Sequence, residues 1–100
     1  NYFNMYKPLP EGLTIKDSPV HGLGLHASKE LAKGIDLGIT HVYNENYENN
    51  YIRTPLGGFI NHSDDPNAQL MIVGKTMRLS TIKTIKKNEE LLVQYRLYSV

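Results

Sequence analysis

The sequence predicts a small, mainly-β fold with little helix, on three observations. No stretch of 12 or more residues carries an apolar stripe at the period of an amphipathic helix. Short apolar runs recur instead between turn-forming residues, the pattern of many brief strands. The third observation is an internal echo: Leu31-Ala32-Lys33-Gly34-Ile35-Asp36-Leu37 resembles Ile85-Lys86-Lys87-Asn88-Glu89-Glu90-Leu91. Each runs from an apolar residue through a basic turn into a new apolar strand.

Length and composition bound the answer. A chain of 100 residues makes one domain, and at this size folding buries roughly 60 to 65% of the unfolded surface. A net charge of +1 gives no strong field, so no direct nucleic-acid binding is expected. The absence of Cys removes disulfides, zinc-thiolate sites and thiol catalysis together. No apolar run approaches the ~18 residues of a membrane helix, and no signal peptide is visible. The expectation is a soluble, intracellular protein without a membrane partner.

The elements follow in order. Residues 1–12 read as an N-terminal extension packing on the domain, with Tyr2, Phe3, Met5 and Tyr6 ahead of Pro8 and Pro10, whose closeness opposes a helix. The domain itself is assigned to residues 13–100. Leu13-Thr14-Ile15-Lys16 alternates as a strand does, and Asp17-Ser18-Pro19 marks a turn. Gly22-Leu23-Gly24 then supplies either positive backbone angles for a hairpin or a close approach for a ligand. No third Gly opens a helix after it, so it is not the dinucleotide fingerprint.

Leu25-His26-Ala27 continues as a strand, Ser28 to Gly34 turns, and Ile35 to Val42 reads as β-structure bent at Gly34 and Gly38. Tyr43 to Asn50 is too polar for core, and its Tyr43 and Tyr47 are either surface decoration or one wall of a groove. Ala68 to Val73 and Met77 to Ile82 form a hairpin across Gly74-Lys75-Thr76. A charged connection, Lys83 to Glu90, leads through Leu91-Leu92-Val93 to Gln94-Tyr95.

The most informative stretch is Gly58-Phe59-Ile60-Asn61-His62-Ser63-Asp64-Asp65-Pro66-Asn67. An apolar approach runs into a loop of side chains that bond to backbone, and Pro66 biases Asp65 toward an extended conformation. Such a loop is braced locally and can aim backbone groups at a ligand, although polar turns are commoner than sites. His62, Asp64 and Asp65 offer no complete metal shell at legible spacing, so no metal is expected.

Three separated segments now line up with one family. Ser18-Pro19-Val20-His21-Gly22-Leu23-Gly24-Leu25-His26-Ala27 resembles the first motif of SET-domain methyltransferases. Phe59-Ile60-Asn61-His62-Ser63 with Pro66-Asn67 resembles their central motif, and Glu89-Glu90-Leu91-Leu92-Val93-Gln94-Tyr95 their final one. Order and spacing fit from Leu13 to Tyr95, with the nearest look to minimal single-domain members of viral type. The resemblance implies a β-clip fold of small antiparallel sheets, with the C-terminal strand passing under the central loop in a pseudoknot. It implies S-adenosylmethionine as methyl donor and, as partner, a histone or other basic protein whose lysine accepts the methyl group.

The same resemblance gives residues their roles. Tyr95 matches the catalytic tyrosine. His21, Gly22, Leu23 and Gly24 match the segment whose backbone lines the methionine part of the cofactor, and Asn61 and His62 the pair that contacts it. Two departures matter: Asp64 stands where many members carry Cys, so no zinc-bearing tail is expected, and the insert before the central motif is short. Tyr98, Tyr43 and Tyr51, with Tyr47, are then the candidates to finish the substrate channel, or a second copy finishes it as a homodimer. The competing expectation is a non-catalytic β-clip module kept as a binding or assembly surface.

Overall fold

The computed structural model describes residues 9–46 and 51–94. The strands are β1 (Leu13–Asp17), β2 (Leu23–Ala27), β3 (Asp36–Tyr43) and β4 (Tyr51–Arg53). They continue with β5 (Asn61–His62), β6 (Ala68–Val73), β7 (Thr76–Thr81) and β8 (Leu92–Val93). No helix forms among the described residues, and the sheets are small, as the sequence predicts. β1 and β2 make an antiparallel hairpin, and β4-β3-β7-β6 an antiparallel sheet of four. β5 and β8 pair in parallel, with Asn61 opposite Leu92 and His62 opposite Val93. That parallel pair is the exception to the antiparallel expectation.

Local chemistry accounts for the elements. In β7, Met77, Leu79 and Thr81 are buried while Thr76, Arg78 and Ser80 are half-exposed, the two-residue period of a strand with one face inward. Gly74 takes the left-handed conformation (φ 60°) in the β6–β7 turn, the position where a side chain would be strained. At Gly38 (φ 117°) the β3–β7 register shifts, so β3 bends there as its glycine predicts.

The internal echo has a structural meaning. Leu31 and Ile85, the first residues of the two copies, bond to each other in both directions, Leu31 N–H to Ile85 O at 2.7 Å and Ile85 N–H to Leu31 O at 2.8 Å. Gly34 (φ 83°) and Asn88 (φ 73°), at equivalent places in the echo, both adopt the left-handed conformation. Asn is the non-glycine residue that tolerates it best. Two like turns thus lie back to back. Leu31, read as part of a turn, is buried at 4% exposure.

The core draws on every sheet: Leu25 from β2, Leu79 from β7 and Val93 from β8 are fully buried, together with Ile85 and Leu91 from the connections. One apolar cluster therefore fixes the three small sheets relative to one another. Residues 89–93 run between β2 and the loop after β5, and bond to both. Ala27 N–H donates to Glu89 O (2.9 Å) and Leu91 N–H to Leu25 O (2.7 Å), while Ser63 N–H donates to Val93 O (2.9 Å). This is the crossing that the pseudoknot expectation requires.

His41 in β3 gives the fold a pH dependence. It is 3% exposed, and its Nδ1 lies 2.8 Å from Thr40 Oγ1. Thr40 gives its own hydrogen to Met77 O (3.2 Å), so Nδ1–H is the donor to it. Burial, and then the charge of Arg53, hold the His41 pKa below the ordinary imidazole value. The unfolded chain takes up a proton near pH ~6.5 while the folded chain resists, so stability falls as pH drops through that window. Urea midpoints measured between about pH 7.5 and 5.5 should show the wild-type advantage over His41→Gln shrinking on acidification. A constant advantage would contradict the assignment.

Candidate functional site

The site begins with the turn after β1. Ser18 N–H donates to Gly22 O (2.8 Å), closing a tight loop, and Gly22 supplies the left-handed residue it needs (φ 49°). Inside the loop the Ser18 hydroxyl accepts from Val20 N–H (3.0 Å) and His21 N–H (3.4 Å). The same hydroxyl lies 2.8 Å from both carboxylate oxygens of Glu90, which precedes β8.

Asn61 ties this turn to the rest. Its Nδ2 lies 2.9 Å from Glu90 Oε2, 3.1 Å from Ser18 Oγ, 3.1 Å from His21 O and 3.2 Å from Leu23 O. Two amide hydrogens are shared among these acceptors. The side chain of the central loop thereby fixes the carbonyls of the Gly-containing turn against the final segment. Leu25 N–H donates to Phe59 O (3.1 Å), holding β2 to the approach to β5. Gly24 has to be glycine: a Cβ there would stand against the Glu90 carboxyl group and 3.0 Å from Ser18 Cβ.

Behind the cluster, Asn67 locks the last segment. It is 6% exposed; its Nδ2 donates to Glu90 O (2.8 Å), its Oδ1 accepts from Leu92 N–H (2.9 Å), and its backbone N–H donates to Leu92 O (3.2 Å). One side chain thus satisfies two backbone groups that strand pairing leaves over. His26, on β2, is buried and faces Gly24 O with Nδ1 at 3.0 Å. A carbonyl only accepts, so Nδ1 carries the hydrogen.

The front of the turn is open. His21, Gly22 and Leu23 are exposed, and a Cβ on Gly22 would meet nothing within 4 Å. His62, the next residue after Asn61, is exposed and has Nε2 3.2 Å from Asp64 Oδ1. Asp65 pairs with Lys83 at 3.2 Å. An accessible glycine backbone fixed by the Asn61 amide suits a small polar ligand held by hydrogen bonds. Among the described residues no three His, Asp or Glu side chains gather at metal-holding distance.

Of the residues singled out from sequence, the structure therefore gathers His21, Gly22, Leu23, Gly24 and Asn61 at one point, while His62 follows Asn61 in β5 and bonds to Asp64. Tyr43 and Tyr51 face each other across β3 and β4, ring centroids 5.8 Å apart and planes at 85°, in a different sheet from Asn61. Tyr47, Tyr95 and Tyr98 lie outside the described residues. Ser18, Asn67 and Glu90 carry the cluster without having been given a role in advance. A cavity of about 350 Å³ opens beside Leu9, Pro10, Leu37 and Leu56, and shares no residue with the cluster. Its walls are largely apolar, with Glu11 and Thr54 the polar exceptions.

Comparison with known proteins completes the description. The family profile of the SET domain matches residues 13–96. No curated protein matches the chain in sequence. Among solved structures, the fold resembles a Plasmodium falciparum protein assigned as a histone methyltransferase (TM-score 0.72, 24% identity, 89% of this chain and 96% of that one). It also resembles the methyltransferase domain of human PR domain-containing protein 2 (TM-score 0.66, 21% identity, 85% and 77%). A third likeness is to a chain of Chaetomium thermophilum Polycomb Repressive Complex 2 (TM-score 0.68, 19% identity, 87% of this chain and 16% of that one). At these identities the structural likeness bears on the fold.

Proposed function

The chain belongs to the SET-domain family, and from that premise we propose that it is a protein-lysine N-methyltransferase using S-adenosylmethionine, with a histone or another basic protein as substrate. The observation that carries the reading is the Asn61 side chain, which joins the glycine turn and the final segment at a single point. A fold kept only as an assembly surface would have no need of an open glycine cradle beside that junction.

The residues present fit the cofactor. The accessible backbone of His21, Gly22 and Leu23, with Gly22 leaving open space, is a cradle that a side chain would narrow. Asn61 holds its carbonyls, and His62 would contact the cofactor from the next position in β5. When bound, S-adenosylmethionine supplies a methyl group on a positively charged sulfur. The chain's own part is positioning: Ser18, Glu90 and Asn61 hold the turn in one shape, and alignment of the reacting atoms supplies much of the acceleration.

The acceptor lysine has to be neutral to react, and its ordinary pKa is about 10.4. A desolvating channel favours the neutral amine. Tyr95 would orient that amine through its hydroxyl, with Tyr98, Tyr43 and Tyr51 as channel walls.

Calorimetry tests the cofactor first: no heat of binding at millimolar S-adenosylmethionine would defeat the enzyme in favour of the module. Transfer of labelled methyl to histones and other lysine-rich proteins tests the reaction. Tyr95→Phe should slow transfer on the order of a hundredfold, the scale of lost alignment, with cofactor binding kept. Unchanged transfer would remove Tyr95 from the mechanism.

A further inference from the structure

Glu90 is a buried carboxylate whose surroundings are unusual. It is 9% exposed, and among the described residues no Lys, Arg or His forms an ion pair with it. The side chains that bond to it, Ser18 and Asn61, are neutral. The Ser18 hydroxyl already accepts from Val20 N–H and His21 N–H, so its own hydrogen goes to Glu90. Asn61 Nδ2 has only hydrogens to offer. The adjacent His26 spends its Nδ1–H on Gly24 O. Ser18 and Asn61 both donate to the carboxylate.

An ionised group withdrawn from water is costly unless a charge or strong hydrogen bonds offset it. Here hydrogen bonds are supplied, and among the described residues no counter-charge pairs with the carboxylate. The carboxylate also lies directly behind Gly24, the glycine whose missing side chain leaves it room.

We infer that Glu90 makes the cradle selective for charge, favouring the methyl donor over its spent product. This rests on the cofactor reading above. S-adenosylmethionine and S-adenosylhomocysteine differ by one methyl group and one positive charge on sulfur. A fixed negative charge behind the turn attracts the sulfonium of the first and gives nothing to the neutral sulfur of the second. Transfer of the methyl group itself then loosens the product's hold. Glu90 acts here as a specificity-determining residue that need not touch the reacting atoms.

The test is calorimetric titration of wild type and Glu90→Gln with each compound separately. Gln keeps the size and an oxygen for Asn61 and removes the charge. Wild type should bind the donor more tightly than the product, and Glu90→Gln should shrink that preference about tenfold, equivalent to ~1.4 kcal/mol. An equal loss for both compounds would show that Glu90 only positions the turn, and would overturn the inference while leaving the enzyme reading intact. Wild type binding neither compound would defeat the cofactor reading itself. If Glu90→Gln does not fold, Ser18→Ala carries the test: it removes a neutral donor and keeps the charge, so preference for the donor must persist. Loss of preference with the carboxylate intact would overturn the inference equally.

Discussion

Replacing Asn67 with Ala should lower the free energy of unfolding by about 3 kcal/mol, a large share of the roughly 5–15 kcal/mol typical of a domain. The reason lies in what its amide holds. Glu90 O and Leu92 N–H are backbone groups at the entry to β8, and Asn67 satisfies both from a site only 6% exposed. Alanine strands a buried acceptor and a buried donor together, each worth ~1–3 kcal/mol when unpaired. Asn67→Asp separates the two contributions. It keeps an acceptor for Leu92 N–H but turns a carboxylate toward Glu90 O and toward Glu89, whose Oε2 lies 3.3 Å from Asn67 Nδ2. The aspartate variant should therefore be no more stable than the alanine one. Urea unfolding with an unchanged slope is the measurement, and a loss under ~1 kcal/mol for Asn67→Ala would mean that water replaces the amide.

Asn67 also marks where the sequence is legible and where it is not. The Asn-His-Ser loop and the Gly-x-Gly turn stand out because their residue types have few other uses together, and the structure does bring Asn61 to that turn. The partners that make the junction work are silent in the sequence. Ser18 and Glu90 are 72 positions apart, and nothing in a Ser before Pro or in a Glu-Glu pair announces that they will meet. Such pairing is set by tertiary closure, through the Leu25–Phe59 and Leu91–Leu25 backbone bonds. The hairpin β6–β7 is readable from alternation and a glycine turn because both are local properties. The parallel pairing of β5 with β8 is not, since two strands of two residues each carry no periodicity. The echo between residues 31–37 and 85–91 is visible as a repeat of residue types. That its two copies bond to each other at Leu31 and Ile85 follows only from the fold.

Gly24→Ala should produce a large functional loss: cofactor affinity at least about tenfold lower, with about 2 kcal/mol of stability lost to overpacking. The new Cβ would occupy the place of the Glu90 carboxyl group, which cannot withdraw without leaving Ser18 and Asn61. Asn61 would then lose one anchor of the turn it fixes. Gly22→Ala is the control, because its Cβ meets nothing within 4 Å and its cost comes from the left-handed backbone alone (φ 49°). That strain is worth ~1 kcal/mol, so it should affect stability modestly and by a different route. A double-mutant cycle separates the two causes. In a Glu90→Ala background the methyl group added at Gly24 has no carboxyl to displace. Gly24→Ala should then cost clearly less there than alone, whereas Gly22→Ala should cost the same in both backgrounds. Additive losses for Gly24 and Glu90 would mean that the carboxylate leaves freely, and that the cradle does not depend on the closure seen between Ser18, Asn61 and Glu90.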